Sequence, residues 1–224
     1  MSAVFKSKKE IVYESLRADI VNGKYKPGAR LVIDELATQL GVSQIPIREA
    51  VMQLEADGFV TIEPYVGATI TPMDANFIFE VFALLEAMEV VCSRAACRVM
   101  TDDEMNQVEE MILQMDQAVD RPDVWSEQNR TMHLFICKCA RTELVMKMLS
   151  KVFDHWDRLR QHYLHGIAGN RIREAQDEHR QILDALRQRD ADKAEQSIRE
   201  HNRRALAGYT RDLQSVGYLQ GTEG

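Results

Sequence analysis

Between Glu35 and Gly58 the chain carries two short amphipathic segments separated by one glycine and a Val-Ser pair, and few folds accommodate that arrangement. Leu36, Ala37 and Leu40 give the first segment an apolar face at helical spacing, and Ile47, Val51 and Leu54 do the same for the second. Asp34 is placed to cap the first helix, Glu35 to Leu40. Gly41 supplies the left-handed backbone of a tight turn, and Ser43 is a good N-cap for the second helix, Ile45 to Asp57. Pro46 falls in its first turn, where a missing N–H costs nothing, and Gly58 closes the helix. Upstream, Ser7 to Asn22 has Ile11, Leu16 and Ile20 at roughly helical spacing, stopped by Gly23 and the Pro27-Gly28 turn. Downstream, Phe59 to Ile62 and Ala68 to Thr71 read as two strands around a turn at Pro64 to Gly67. Helix, helix, tight turn, helix and hairpin within residues 1–72 is the plan of a winged helix-turn-helix with a small β-hairpin wing.

Such a unit places the N-terminal end of its second turn-linked helix in the major groove of DNA. The exposed residues there are Ser43, Gln44, Ile45 and Arg48. Arg48 can pair two donors with guanine O6 and N7, and Gln44 suits adenine. Ser43 and the free N–H groups of the helix end suit a phosphate, with Lys24, Lys26 and Arg30 as nearby positive charge. The alternative is that Arg48 only pairs with Glu49 or Glu55 on a solvated face. Net charge does not favour nucleic acid as a whole, since the formal value is −7. Residues 1–72 hold 8 Lys and Arg against 9 Asp and Glu, and the remainder holds 20 against 26, so a DNA contact has to come from a local cluster.

The run from Pro27-Gly28 through Leu36-Ala, Gly41-Val-Ser43, Pro46-Ile-Arg48-Glu-Ala50, Leu54 and Gly58 resembles the GntR family of bacterial regulators, and Gly67 matches its wing-tip glycine. The resemblance implies a DNA-binding transcription regulator, and carries Ser43, Arg48 and Gly67 over as DNA contacts. Gln44 stands where relatives often have an operator-contacting arginine, and Asp34 replaces a basic residue found in some of them. One such unit covers a half-site, so a homodimer on a palindromic double-stranded operator is expected.

After Pro72 the strand signals stop, and helical patterns follow near 74–99, 102–119, 123–140, 143–164, 170–188 and 190–214. Thr101 and Glu104 form a capping box, Asp190 caps the last helix, and Arg121-Pro122, Gly166 and Gly169 mark breaks. The chain thus divides into 1–72, an all-helical 73–217 and a tail, 218–224, with no long linker at the boundary. No apolar run approaches the length of a membrane span, and the start has no signal core, so a cytoplasmic location is expected. Cys92, Cys97, Cys137 and Cys139 are too few and too clustered for a disulfide framework.

Residues 74–217 resemble the all-helical FCD effector domain on three sparse motifs: Asn129-Arg-Thr-Met-His133, Glu178-His179-Arg-Gln-Ile182 followed by Arg189-Asp190, and His201. The resemblance implies a ligand-sensing and dimerisation domain for a metabolite effector. It also implies a divalent metal held by His133, His179 and His201, with Asn129 in the position of the family's acidic ligand. Asn129 and His133 are four apart and share a helix face, and facing helices of a bundle can aim such residues at one point. Three neutral imidazoles suit zinc or nickel. The other readings are that each histidine is a satisfied core or surface residue, or that a metal only braces the bundle. A hydrolytic metalloenzyme lacks a general base, since Glu178 is expected to point to a different face, and it leaves the first 72 residues unexplained. Cys137, one turn beyond His133, reads as a buried small residue. Phe82 occupies a place where many relatives have an arginine near the effector. Together with Trp156, Arg160 and Tyr163 on one side of their helix, it is a candidate lining of the effector pocket.

Overall fold

The computed structural model describes residues 6–163 and 171–215; Gly166, Gly169 and the tail lie outside them. The chain forms two compact units, one reaching to Asp74 and including Asp157–His162, the other made of Ala75–Trp156 and the chain from Tyr163 onward.

The first unit contains α1 (Lys8–Val21), β1 (Arg30–Leu31), α2 (Ile33–Leu40), α3 (Gln44–Ala56), β2 (Val60–Glu63) and β3 (Gly67–Ile70). The buried stripe of α1 is Val12, Leu16 and Ile20, an i, i+4, i+8 series. Ile11, expected on that stripe, is 54% exposed, because it lies five residues before Leu16 and so falls about 140° around the helix from the centre of the face. Ser7 and Glu10 close a capping box at the start of α1 that the sequence reading passed over. Helix α2 begins two residues before the expected Glu35, with Val32 as N-cap, so Asp34 lies inside the first turn and does not cap. Gly41 ends it with φ +64°, a conformation that any side chain would strain. Leu16 and Ile20 of α1 share one buried core with Ile47 and Leu54 of α3 and with Phe59 and Ile70. Each such side chain contributes roughly 1.5–3 kcal/mol on leaving water.

The wing is larger than a hairpin. Strand β3 pairs antiparallel with β2, Val60 opposite Ile70, and also with β1, Arg30 opposite Thr69. The order is β1-β3-β2. Two-residue β1 carries no alternation to read, which is why only the hairpin was visible in the sequence.

Among its described residues the second unit is built from helices: α4 (Ala75–Val99), α5 (Asp102–Asp116), α6 (Pro122–Cys139), α7 (Glu143–Tyr163, of which residues 157–162 belong to the first unit), α8 (Ile172–Arg187) and α9 (Ala191–Ser215). Thr101 and Glu104 form the expected capping box, Pro122 opens α6, and Asp190 accepts from Lys193 N–H at 3.0 Å at the start of α9. Helix α4 packs against α6 and α9, and α8 against α5 and α9. The faces that meet carry buried polar side chains among the apolar ones: Glu89, Asn129, His133, Gln176, Glu178, His179, His201 and Asn202. Among the described residues no helix is long and apolar enough to cross a membrane.

Candidate metal centre and nucleic-acid interface

A buried polar group needs a partner, so these buried polar side chains of the helical unit have to be accounted for. His133 of α6, His179 of α8 and His201 of α9 bring one ring nitrogen each to within 4.8 Å of one another. Their ring centroids are 4.9–5.3 Å apart. The other ring nitrogen of each is held from behind. His133 Nδ1 lies 2.7 Å from Glu89 Oε1, and His201 Nδ1 lies 2.8 Å from Glu178 Oε2. Carboxylates only accept, so both Nδ1 atoms donate. His179 Nδ1 lies 3.1 Å from Gln176 Oε1. The Gln176 amide orientation follows from its other partners: its nitrogen donates to Ile112 O and Asp116 Oδ1, and its oxygen accepts from Trp125 Nε1. His179 Nδ1 therefore donates as well. All three histidines thus take the tautomer that leaves Nε2 with a lone pair, as metal ligands require.

Electrostatics keep His179 and His201 in that state. Burial pushes His179 well below the usual histidine range, and His201 and His133 add to the shift. Burial also lowers His201, although the Glu178 hydrogen bond opposes it. Burial alone raises a carboxyl group, yet His133 and Asn202 hold Glu89 below its ordinary value, and His201 and Arg171 do the same for Glu178. At the cluster two buried acceptors, His179 Nε2 and Asn129 Oδ1, have no partner among the described residues. Three imidazole lone pairs and one amide oxygen are a donor set that fits a divalent ion such as zinc or nickel.

His133, His201 and Asn129 line a cavity of about 40 Å³, enough for an ion with water. Phe82 and Trp156 line it too, with Tyr209 in ring contact with both. Arg160 and Tyr163 do not line it. Residue 160 belongs to the stretch of α7 assigned to the first unit, where Arg160 Nε lies 4.0 Å from Asp157, and the cavity-facing partner of Trp156 is Phe153, three residues away. A larger groove of about 410 Å³ between α4 and α9 contains none of the histidines. Cys137 is buried and stands outside the cluster. Glu178 corrects the expectation that it points away: it faces α9 and fixes His201. Glu89 had a readable signal, an acid in the buried α4 series Phe82, Leu85, Glu89 and Ser93.

In the first unit Ser43, Gln44, Ile45 and Arg48 are all exposed at the start of α3, with Ile45 69% exposed. Ser43 is the N-cap, but its hydroxyl makes no cap bond, unlike Ser7 and Thr101. The first-turn N–H groups of α3 therefore have no capping side chain and suit a phosphate. Arg48 pairs with neither Glu49 nor Glu55. Its Nη2 lies 3.3 Å from Gln44 Oε1, and Gln44 Nε2 donates to Asp34 at 2.5 Å. At the wing, Gly67 has φ +97°, and a Cβ there would stand 3.5 Å from Arg30 Nη2, so the exposed Arg30 guanidinium covers the glycine. Lys24 is engaged by Asp19 at 2.7 Å.

Comparison with known proteins agrees with this layout. Residues 8–70 match the family model "Bacterial regulatory proteins, gntR family", and residues 80–204 match the FCD domain. The chain is 26% identical over 192 residues to the HTH-type transcriptional repressor RspR of Escherichia coli, covering 85% of this chain and 83% of that one. It is 26% identical over 186 residues to the HTH-type transcriptional regulator McbR of Escherichia coli, covering 80% and 82%. The solved structure of E. coli McbR/YncC superposes with a TM-score of 0.75 at 22% identity, over 92% of this chain and 99% of that one.

Proposed function

The chain belongs to the gntR family of bacterial regulatory proteins, in the branch that carries an FCD domain, and is a transcriptional regulator and not an enzyme; from that premise we propose a metabolite-responsive repressor that binds a palindromic operator as a homodimer. In this reading Ser43, Gln44, Ile45 and Arg48 enter the major groove, and Gly67 with Arg30 follows the backbone at the wing. DNA as partner sets a cytoplasmic location. His133, His179, His201 and Asn129 hold a divalent metal ion, and a metabolite binds beside Phe82 and Trp156. The observation that carries the sensor reading is the convergence of three imidazole nitrogens, each ring fixed from behind, beside a cavity that His133, His201 and the unpaired Asn129 oxygen line.

A bound ion would supply a Lewis-acidic point for an anionic or carbonyl oxygen of the effector. The rest of the work belongs to the chain. Glu89, Glu178 and Gln176 fix the three imidazole rings, while Phe82, Trp156 and Tyr209 keep water off one side of the cavity. With Phe82 in place of an arginine, the pocket favours an effector less acidic than a dicarboxylate. The effector changes operator affinity only by as much as it prefers one of two states of the protein.

In vitro selection from random duplex DNA tests the reader directly. The expected product is a two-fold symmetric site with equal half-sites. Enrichment of a single asymmetric half-site would reject the dimer, and no enrichment would reject sequence-specific binding.

A further inference from the structure

We infer that Glu89 is the counter-charge of the metal centre, taking over electrostatically what a carboxylate at position 129 would supply. This rests on the metal-centre reading above, and deepens it. Glu89 is 3% exposed and lines the same cavity as Asn129, His133 and His201. Its partners are His133 Nδ1 at 2.7 Å and Asn202 Nδ2 at 2.7 Å. Among the described residues no lysine or arginine reaches it. Glu178, the other carboxylate behind the cluster, differs on this point. Arg171 donates to both of its oxygens at 2.5 and 2.6 Å, and Arg204 to one at 3.3 Å, so its charge is already compensated.

A buried carboxylate without a fixed cation is costly. Three neutral imidazoles and the Asn129 amide bring no charge to a divalent ion. Glu89 and such an ion are each other's missing partner, one imidazole ring apart. The His133 ring links them, since a carboxylate on Nδ1–H makes Nε2 a stronger donor. Glu89 also ties α4 to Asn202, the residue next to His201 on α9, so the charge sits on a frame shared with the cluster.

The test measures zinc and nickel affinity of the full-length protein by competition with a chromophoric chelator, with circular dichroism to confirm folding. Glu89→Gln keeps the size and a hydrogen-bond acceptor for His133 while removing the charge. It is expected to weaken binding about 10–100-fold, as loss of an outer ligand partner does. Asn129→Asp in the same chain is expected to restore it, because the carboxylate is returned on the other side of the ion. Wild-type affinity in Glu89→Gln overturns the inference, and so does a loss that Asn129→Asp does not rescue, since Glu89 would then only brace the helices. If Glu89→Gln does not fold, Asn129→Asp alone decides. A small gain over wild type supports a charge already supplied, and a gain of the same roughly 10–100-fold size overturns it. No metal binding by the wild-type protein overturns the metal reading itself together with this inference.

Discussion

Arg48→Ala is expected to remove nearly all sequence-specific DNA binding while leaving the fold intact. The side chain is exposed and touches only Gln44 within its own helix, and alanine is a better helix former than arginine, so stability has little to lose. Binding has much to lose. A bidentate arginine–guanine contact discriminates by about 1–3 kcal/mol, and a dimer makes it twice. The remaining non-specific affinity comes from phosphate contacts near Ser43 and the wing, and it should stay steeply salt-dependent. Fluorescence anisotropy against the selected duplex, at two salt concentrations, separates these parts. Unchanged discrimination between that duplex and a scrambled one would take α3 out of the reading role. In the free protein the Asp34–Gln44–Arg48 chain of hydrogen bonds occupies the groups that are to read bases, so binding has to open it or use it as it stands.

The second large effect belongs to His179→Ala. This ring is wholly buried, stacks on Trp125, and has its Nε2 without a partner among the described residues. Its removal takes away a direct donor, so the fall in zinc or nickel affinity should exceed the roughly 10–100-fold that follows loss of an outer partner. It also leaves the Gln176 oxygen with Trp125 alone and opens a void in the bundle. The two losses can be told apart. Without metal, His179→Ala should melt somewhat below the wild-type protein. With metal added, the wild-type protein should gain stability as the ion concentration rises above its dissociation constant, and the variant should gain almost none. Equal metal-dependent stabilisation of both proteins would remove His179 from the centre.

Local rules decided how much of this could be read in advance. Helices α3 to α9 follow apolar periodicity, N-caps at Ser43, Thr101 and Asp190, and the break at Arg121-Pro122, and all of these act within a few residues. The errors lie where a local signal was ambiguous or absent. Ile11 and Val12 compete for one face, and the spacing to Leu16 and Ile20 selects Val12. Asp34 looks like a cap, but the helix starts earlier and the carboxylate turns to Gln44. Strand β1 exists only because β3 offers it a partner some forty residues later. The three histidines were named from family likeness and not from spacing. Two of the pairings that fix their tautomers could not be read from spacing, because Glu89 and His133 are 44 positions apart, and His201 reaches Glu178 23 positions back. The pocket residues Trp156 and Arg160 were grouped by a shared helix face. Along the 21 residues of α7 only Phe153 and Trp156 line the cavity.

In the proposed function, ligand binding in the helical unit sets operator affinity. The most direct measurement titrates the full-length protein onto its selected duplex, with and without zinc or nickel, with and without a strong chelator, across a panel of sugar acids, dicarboxylates, amino acids and neutral metabolites. At least one metabolite is expected to shift DNA affinity by a factor in the usual allosteric range of roughly 5–150, and the shift is expected to vanish when the chelator is present. Operator affinity that no metabolite alters, and that metal and chelator leave unchanged, would contradict it.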